Sequence, residues 1–249
     1  MRPLVASELL KLRTTRALLV AAAVTFAYVL VGPALIAWAP NTDILPPLEP
    51  GVLTYAMQNP TPIVGAVVLI VALLGSTGEY RHGTVLTTRL VEPSSTRVLA
   101  AKLAAMALFG AVAGVVVVAI SLGATAMALS MRGVPVEPLE HGIPGLGLAV
   151  VGVMVLHGVL GAAIGSLMRN SAAAVGAVLV WATVIEGAIP LVTGRPELVS
   201  WVPSGAVSAL TQAAGAPGQL APWAAALLLG GYVMVIASGS VVADRLREL

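Results

Sequence analysis

The sequence contains no cysteine, which excludes a disulfide framework and any thiolate-bound metal. It contains only two lysines, Lys11 and Lys102, and neither follows a glycine. The phosphate-cradling loop Gly-x4-Gly-Lys-Ser/Thr is therefore absent, and ATP hydrolysis on this chain is not expected. The three histidines, His82, His141 and His157, are too scattered to suggest a metal site. Neither a His-Glu-x-x-His nor a Gly-x-Ser-x-Gly motif occurs. With no catalytic cluster in view, the chain reads as a non-enzyme carrying no metal and no cofactor of its own. Charge is scarce as well: 10% of residues are charged, against about a quarter in a soluble domain. So few charges cannot cover a water-facing surface on 249 residues. The pI near 9.3 does not point to nucleic acid, because the formal net charge is only +2.

What the chain has in quantity is apolar length. Hydrophobic residues make up 58% of it and mean hydropathy is +0.99. They gather in six blocks, near 17–39, 62–78, 103–129, 144–168, 172–193 and 222–243. A helix crossing the hydrocarbon core needs about 20 apolar residues. Barrel strands would alternate apolar and polar residues; these blocks are apolar on every face. The reading is an all-α membrane protein: one transmembrane domain over 1–249 with six helical spans, the second short enough that it has room to begin before Pro62. A secretory signal is the rival for the first block, with basic residues from Arg2 to Arg16 before it and Ala37-Trp38-Ala39 at its end. The apolar run exceeds the roughly 7–15 residues of a signal h-region, so a retained span is expected.

The basic residues orient these spans. With the N-terminus inside, the inner segments hold eleven of the 13 lysines and arginines, and the outer loops hold only Arg132 and Arg195. The positive-inside rule then predicts both termini in the cytoplasm and an even number of spans.

Between the spans, residues 1–16 carry Leu4, Val5, Leu9 and Leu12 on one face and Ser7, Glu8, Lys11, Thr14 and Thr15 on the other. This predicts an amphipathic interfacial helix or, more plainly, a basic flank to the first span. The first outer loop, 40–61, is proline-rich and lacks lysine and arginine. The last, 194–221, alternates apolar residues with breakers such as Pro203, Gly205 and Pro217; it reads either as a re-entrant pair or as a surface loop. The connection 78–102 is the most informative. Glu79 and Arg81 fall at the membrane edge, Gly83 permits a turn, and Thr84 is suited to cap a short helix 84–91 that Pro93 ends. Such a helix is either a lever for a soluble partner or a polar linker.

The run Glu79-Tyr80-Arg81 with Gly83-Thr84, then Pro93 and Arg97, resembles the permease subunits of ABC-2 type transporters, the export-type ATP-binding cassette family. Ser7 to Thr14 is similar to that family's interfacial elbow helix, and Glu186 followed by Trp201-Val202-Pro203 is a third similarity. The likeness extends over the whole chain through its length, spans and inner loop. It implies that 84–91 is a cytoplasmic coupling helix between spans two and three. Glu79, Arg81, Gly83, Thr84, Val85, Leu86, Arg89 and Pro93 would serve the contact with an ATP-binding subunit, which binds the ATP and magnesium. It further implies a second permease copy or paralogue, a bacterial plasma membrane, and a drug-like or lipid-like cargo. The absence of a large extracellular domain and the 4% aromatic content depart from polysaccharide exporters.

Two polar residues fall inside spans. Glu186 in the fifth should face the bundle interior or a cavity, as a gate or substrate contact or as a structural hydrogen-bonding group. His157 in the fourth is read as an interhelical hydrogen-bonding residue or as part of a substrate path. Glu186 also supports a rival function, an ion-coupled secondary transporter, although such carriers need several intramembrane charges. Gly110 with Gly114, and Gly161 with Gly165, form Gly-x-x-x-Gly steps that predict close helix contacts within the chain or in a dimer.

Overall fold

The structure, a computed structural model, describes residues 1–38, 52–81, 83, 90, 92–134, 142–211 and 219–246, with the side chains of 81, 95, 196, 244 and 245 outside the description. The chain is an all-α membrane protein. Among the described residues, six helices are long and apolar enough to cross a membrane: Arg16–Trp38, Val52–Tyr80, Thr96–Met131, Ile143–Met168, Ser171–Thr193 and Pro222–Ala243. We number the helices α1 (Arg2–Arg13), α2 (Arg16–Trp38), α3 (Val52–Gln58), α4 (Thr61–Arg81), α5 (Ser95–Met131), α6 (Ile143–Met168), α7 (Ser171–Val180), α8 (Glu186–Thr193), α9 (Pro203–Thr211) and α10 (Pro222–Leu246).

Two expected boundaries move. The second span starts earlier than 62, because α3 precedes α4 and brings Val52, Leu53 and Met57 into a buried cluster with Ile36, Leu129 and Ile143. Part of the loop expected over 40–61 is thus helical and packed. Pro60 and Pro62 explain the break between α3 and α4, since neither can donate a backbone hydrogen bond. The Thr61 hydroxyl donates instead to the Met57 carbonyl at 2.8 Å. The third span is longer than expected: α5 has 37 residues. At 1.5 Å per residue that is about 55 Å, well beyond the roughly 30 Å of hydrocarbon.

α6 is the centre of the bundle, and glycine is the reason. A Cβ on Gly110 of α5 would lie 2.3 Å from the Met154 carbonyl oxygen, and one on Gly158 would lie 2.3 Å from that of Met106. On the next side of α6, a Cβ on Gly161 or Gly165 would meet the Leu69 or Leu73 carbonyl oxygen of α4 at 2.1 or 2.6 Å. Both Gly-x-x-x-Gly steps are therefore used inside one chain. Residue numbers along α4 and α6 rise together across this contact, whereas those of α5 fall, so α4 and α6 run parallel with α5 antiparallel.

The described part of 194–221 folds into the bundle. A 3-10 turn, Pro196–Trp201, leads into α9. There Ala206, Val207 and Ala209 are buried with Val153 of α6 and Ala225 and Leu229 of α10.

Backbone contact at α6 predicts a sharp contrast between glycines. Gly161→Ala should destabilise the detergent-solubilised protein by about 1–3 kcal/mol through overpacking. Gly176→Ala, with open space where its Cβ would go, should be neutral or mildly stabilising; thermal melts of the two variants check this.

Candidate functional site

The end of α4 that precedes Gly83 gathers polar contacts from α1, α5 and the turn between α6 and α7. Its focus is Glu79, buried at 8% exposure. One carboxylate oxygen accepts from Lys11 Nζ of α1 at 2.6 Å and the other from Lys102 Nζ of α5 at 2.6 Å. Glu8 of α1, also buried, accepts from Lys11 at 2.5 Å and lies 3.6 Å from Lys102. Two carboxylates and two ammoniums thus alternate around a closed ring of zero net charge. The only two lysines of the chain are both in it. A compact ammonium on a flexible stem suits a point contact between two acids better than the planar fork of arginine does.

This corrects the expected face of α1. Glu8 does not sit with Ser7 and Thr14 on the polar side. It is buried, as is Leu12 one turn later, because residues four apart share a helix face. The packed stripe of α1 is apolar except for this one carboxylate, which the two lysines neutralise.

Three further contacts reach the same end of α4. Ser171 Oγ at the start of α7 donates to Thr77 Oγ1 at 2.8 Å, and Thr77 in turn donates to the Leu73 carbonyl at 3.0 Å. The Arg169 guanidinium stacks 4.7 Å from the Tyr80 ring centroid, a cation–π contact. Arg169 ends α6 in the left-handed region, φ 57°, an uncommon backbone for a residue with a side chain. Asn170 Oδ1 then caps α7 by accepting from the Ala173 amide at 3.1 Å. Through Thr77, Glu79 and Tyr80, three residues of α4 tie down α1, α5 and the α6–α7 turn.

The expected coupling residues fare differently. Glu79 is central to the ring. Gly83 adopts φ +69°, the turn expected of it. Pro93 is exposed just before α5. Arg81 ends α4, with its side chain outside the description, and Thr84, Val85, Leu86 and Arg89 lie outside the described residues. Sequence reasoning missed Lys102, counting it only as an inner charge, and gave Arg169 no role. The available signal for Lys102 was its place within an apolar run, where an ammonium requires a partner.

Glu186 and His157 stand apart from the ring and have separate partners. His157 Nδ1 donates to the Val153 carbonyl one turn back at 2.8 Å, and its ring lies against Gly65 of α4. Glu186 follows a π-helical turn, Trp181–Ile185, and accepts from Trp181 Nε1 at 2.7 Å. Pro190, four residues on, cannot donate to the Glu186 carbonyl, which extends the irregularity. Glu186 and Ala174 are the only buried residues between 171 and 193. Neither Glu186 nor His157 lines the cavity of about 490 Å³ between α2, α4 and α5.

No known family model matches this chain, and no curated protein matches it either.

Burial alone would lower the Lys11 pKa, but its hydrogen bonds to Glu79 and Glu8, and their charges, outweigh that and hold it above the ordinary lysine value. A raised folded-state pKa stabilises fully below the unfolded value and is lost only as pH climbs through the folded one. The destabilisation caused by Lys11→Met should therefore be the same at about pH 7 and pH 9 and should shrink only in stronger alkali. Melts of wild type and variant across that range measure it.

Proposed function

We propose that the chain is the permease subunit of an ABC-2 type exporter, sited in a bacterial plasma membrane with both termini cytoplasmic. It would act with a second permease chain and a separate ATP-binding subunit that holds ATP and magnesium. Six apolar helices fit a membrane transporter in general. The narrower reading is carried by the convergence on the last turns of α4. A coupling segment at 84–91 would follow directly on Gly83, and any force on it would enter α4 beside Glu79. From there the contacts of Thr77, Glu79 and Tyr80 lead to α1, α5, α6 and α7. A rigid junction of this kind turns a local push into movement of several helices, as alternating access requires. The orientation rests on the eleven inner basic residues against two outer ones. A drug-like or lipid-like cargo agrees with the 4% aromatic content of the chain.

Affinity purification of the full chain from its native membrane in mild detergent, with mass spectrometry and an ATPase assay, tests the reading. A stoichiometric ATP-binding subunit is expected. Gly83→Val should preserve insertion and ATPase activity but lower transport, because a β-branched residue is strained at positive φ. Recovery of the chain without any ATPase, together with loss of transport in Glu186→Gln, would instead favour an ion-coupled carrier built on the buried Glu186 carboxylate.

A further inference from the structure

The cavity between α2, α4 and α5 is almost wholly apolar. Its walls include Leu18 and Phe26 of α2, Val67 of α4, and Phe109, Val112 and Val116 of α5. Both phenylalanines of the chain are among them, and Thr25 is the sole polar residue of the lining. The cavity opens sideways, since Phe26, Val112 and Val116 are about half exposed on its rim. All three helices belong to membrane spans, so the opening faces acyl chains rather than water, and an apolar groove at that depth favours hydrocarbon.

One end of the groove is basic. Leu18, in its wall, lies two residues from Arg16 and five from Arg13, and both arginines are exposed. Among the described residues neither is paired with a carboxylate. The nearby acids of α1 and α4, Glu8 and Glu79, are taken up by Lys11 and Lys102. Two exposed guanidiniums just before the stretch of α2 that begins the groove complement a phosphate attached to a hydrocarbon tail.

We propose that this groove holds one anionic glycerophospholipid from the leaflet on the α1 side, with an acyl chain between α2, α4 and α5 and the phosphate on Arg13 and Arg16. The lipid is a resident one, wedged between the α1–α2 elbow and the packed core. The site does not depend on the transporter reading.

The test uses the full chain with its four native tryptophans replaced by phenylalanine and one tryptophan introduced by Phe26→Trp. A control carries Val235→Trp on α10, which is 72% exposed and at a comparable distance from the same end of the bundle. Each is reconstituted in phosphatidylcholine vesicles with a minor fraction of brominated phosphatidylglycerol, whose bromines quench nearby tryptophan. Quenching at position 26 should exceed that at 235, reflecting local enrichment of about fivefold per arginine. Arg13→Gln with Arg16→Gln should bring the two positions level. Equal quenching at both positions, or an excess that survives loss of both arginines, would overturn the proposal. If the tryptophan-free background does not fold, native mass spectrometry of the unmodified chain from mixed phosphatidylglycerol and phosphatidylcholine micelles decides. Preferential retention of one phosphatidylglycerol, lost in the double arginine variant, supports the site; equal retention of the two lipids refutes it.

Discussion

A carboxylate can remain ionised in the low-dielectric end of a helix bundle only if its lost hydration is replaced, and Glu79 meets that condition with an ammonium on each oxygen. Much of the architecture at that end follows. α5 must extend past the hydrocarbon to bring Lys102 level with the end of α4. α1 must fold back across both helices to supply Lys11 and Glu8. Glu8 in turn balances the second lysine. Well-packed apolar residues often replace a buried ionic group with no loss of stability; the ionic version fixes which residue of α1 meets which residue of α4 and α5.

The remainder of the bundle divides into a tightly packed part and a loosely covered one. α4, α5 and α6 approach through glycine until backbone meets backbone, which leaves little freedom for relative sliding. The span 171–193 is the opposite case, with 6% of its apolar window buried. Its π-helical turn, Glu186 and Pro190 concentrate irregular backbone where packing is least. The contrast separates a rigid unit tied to the α4 end from a span joined to it chiefly at its own beginning, through Ser171 on Thr77 and Ala174 buried with Leu69 and Leu73.

The sequence made the spans readable because twenty apolar residues in a row have few alternatives in water or lipid. It made the close contacts of Gly110, Gly114, Gly161 and Gly165 readable for the same local reason. It misled on α3, where a proline-rich stretch looked like loop: packing of Val52, Leu53 and Met57 against distant Ile36 and Leu129 is invisible in local pattern. It also misled on Glu8, whose polarity suggested the water side although its position between Leu4 and Leu12 sets it on the packed one. Glu79 was found through its neighbours in sequence, whereas Lys102 was not. The two meet across 23 positions, and only the burial of both reveals the ring.

The coupling between Glu79 and Lys102 is measured most directly by a double-mutant cycle on melting stability. Removing one partner leaves an uncompensated buried charge, and the loss should be about 3–5 kcal/mol for Glu79→Gln or Lys102→Met alone. Combining the two restores zero net charge, so the double variant should be no less stable than the worse single one, which makes the coupling energy at least as large as the smaller single loss, about 3 kcal/mol or more. Two losses that simply add would contradict the account, because they would show that neither side chain depends on the other.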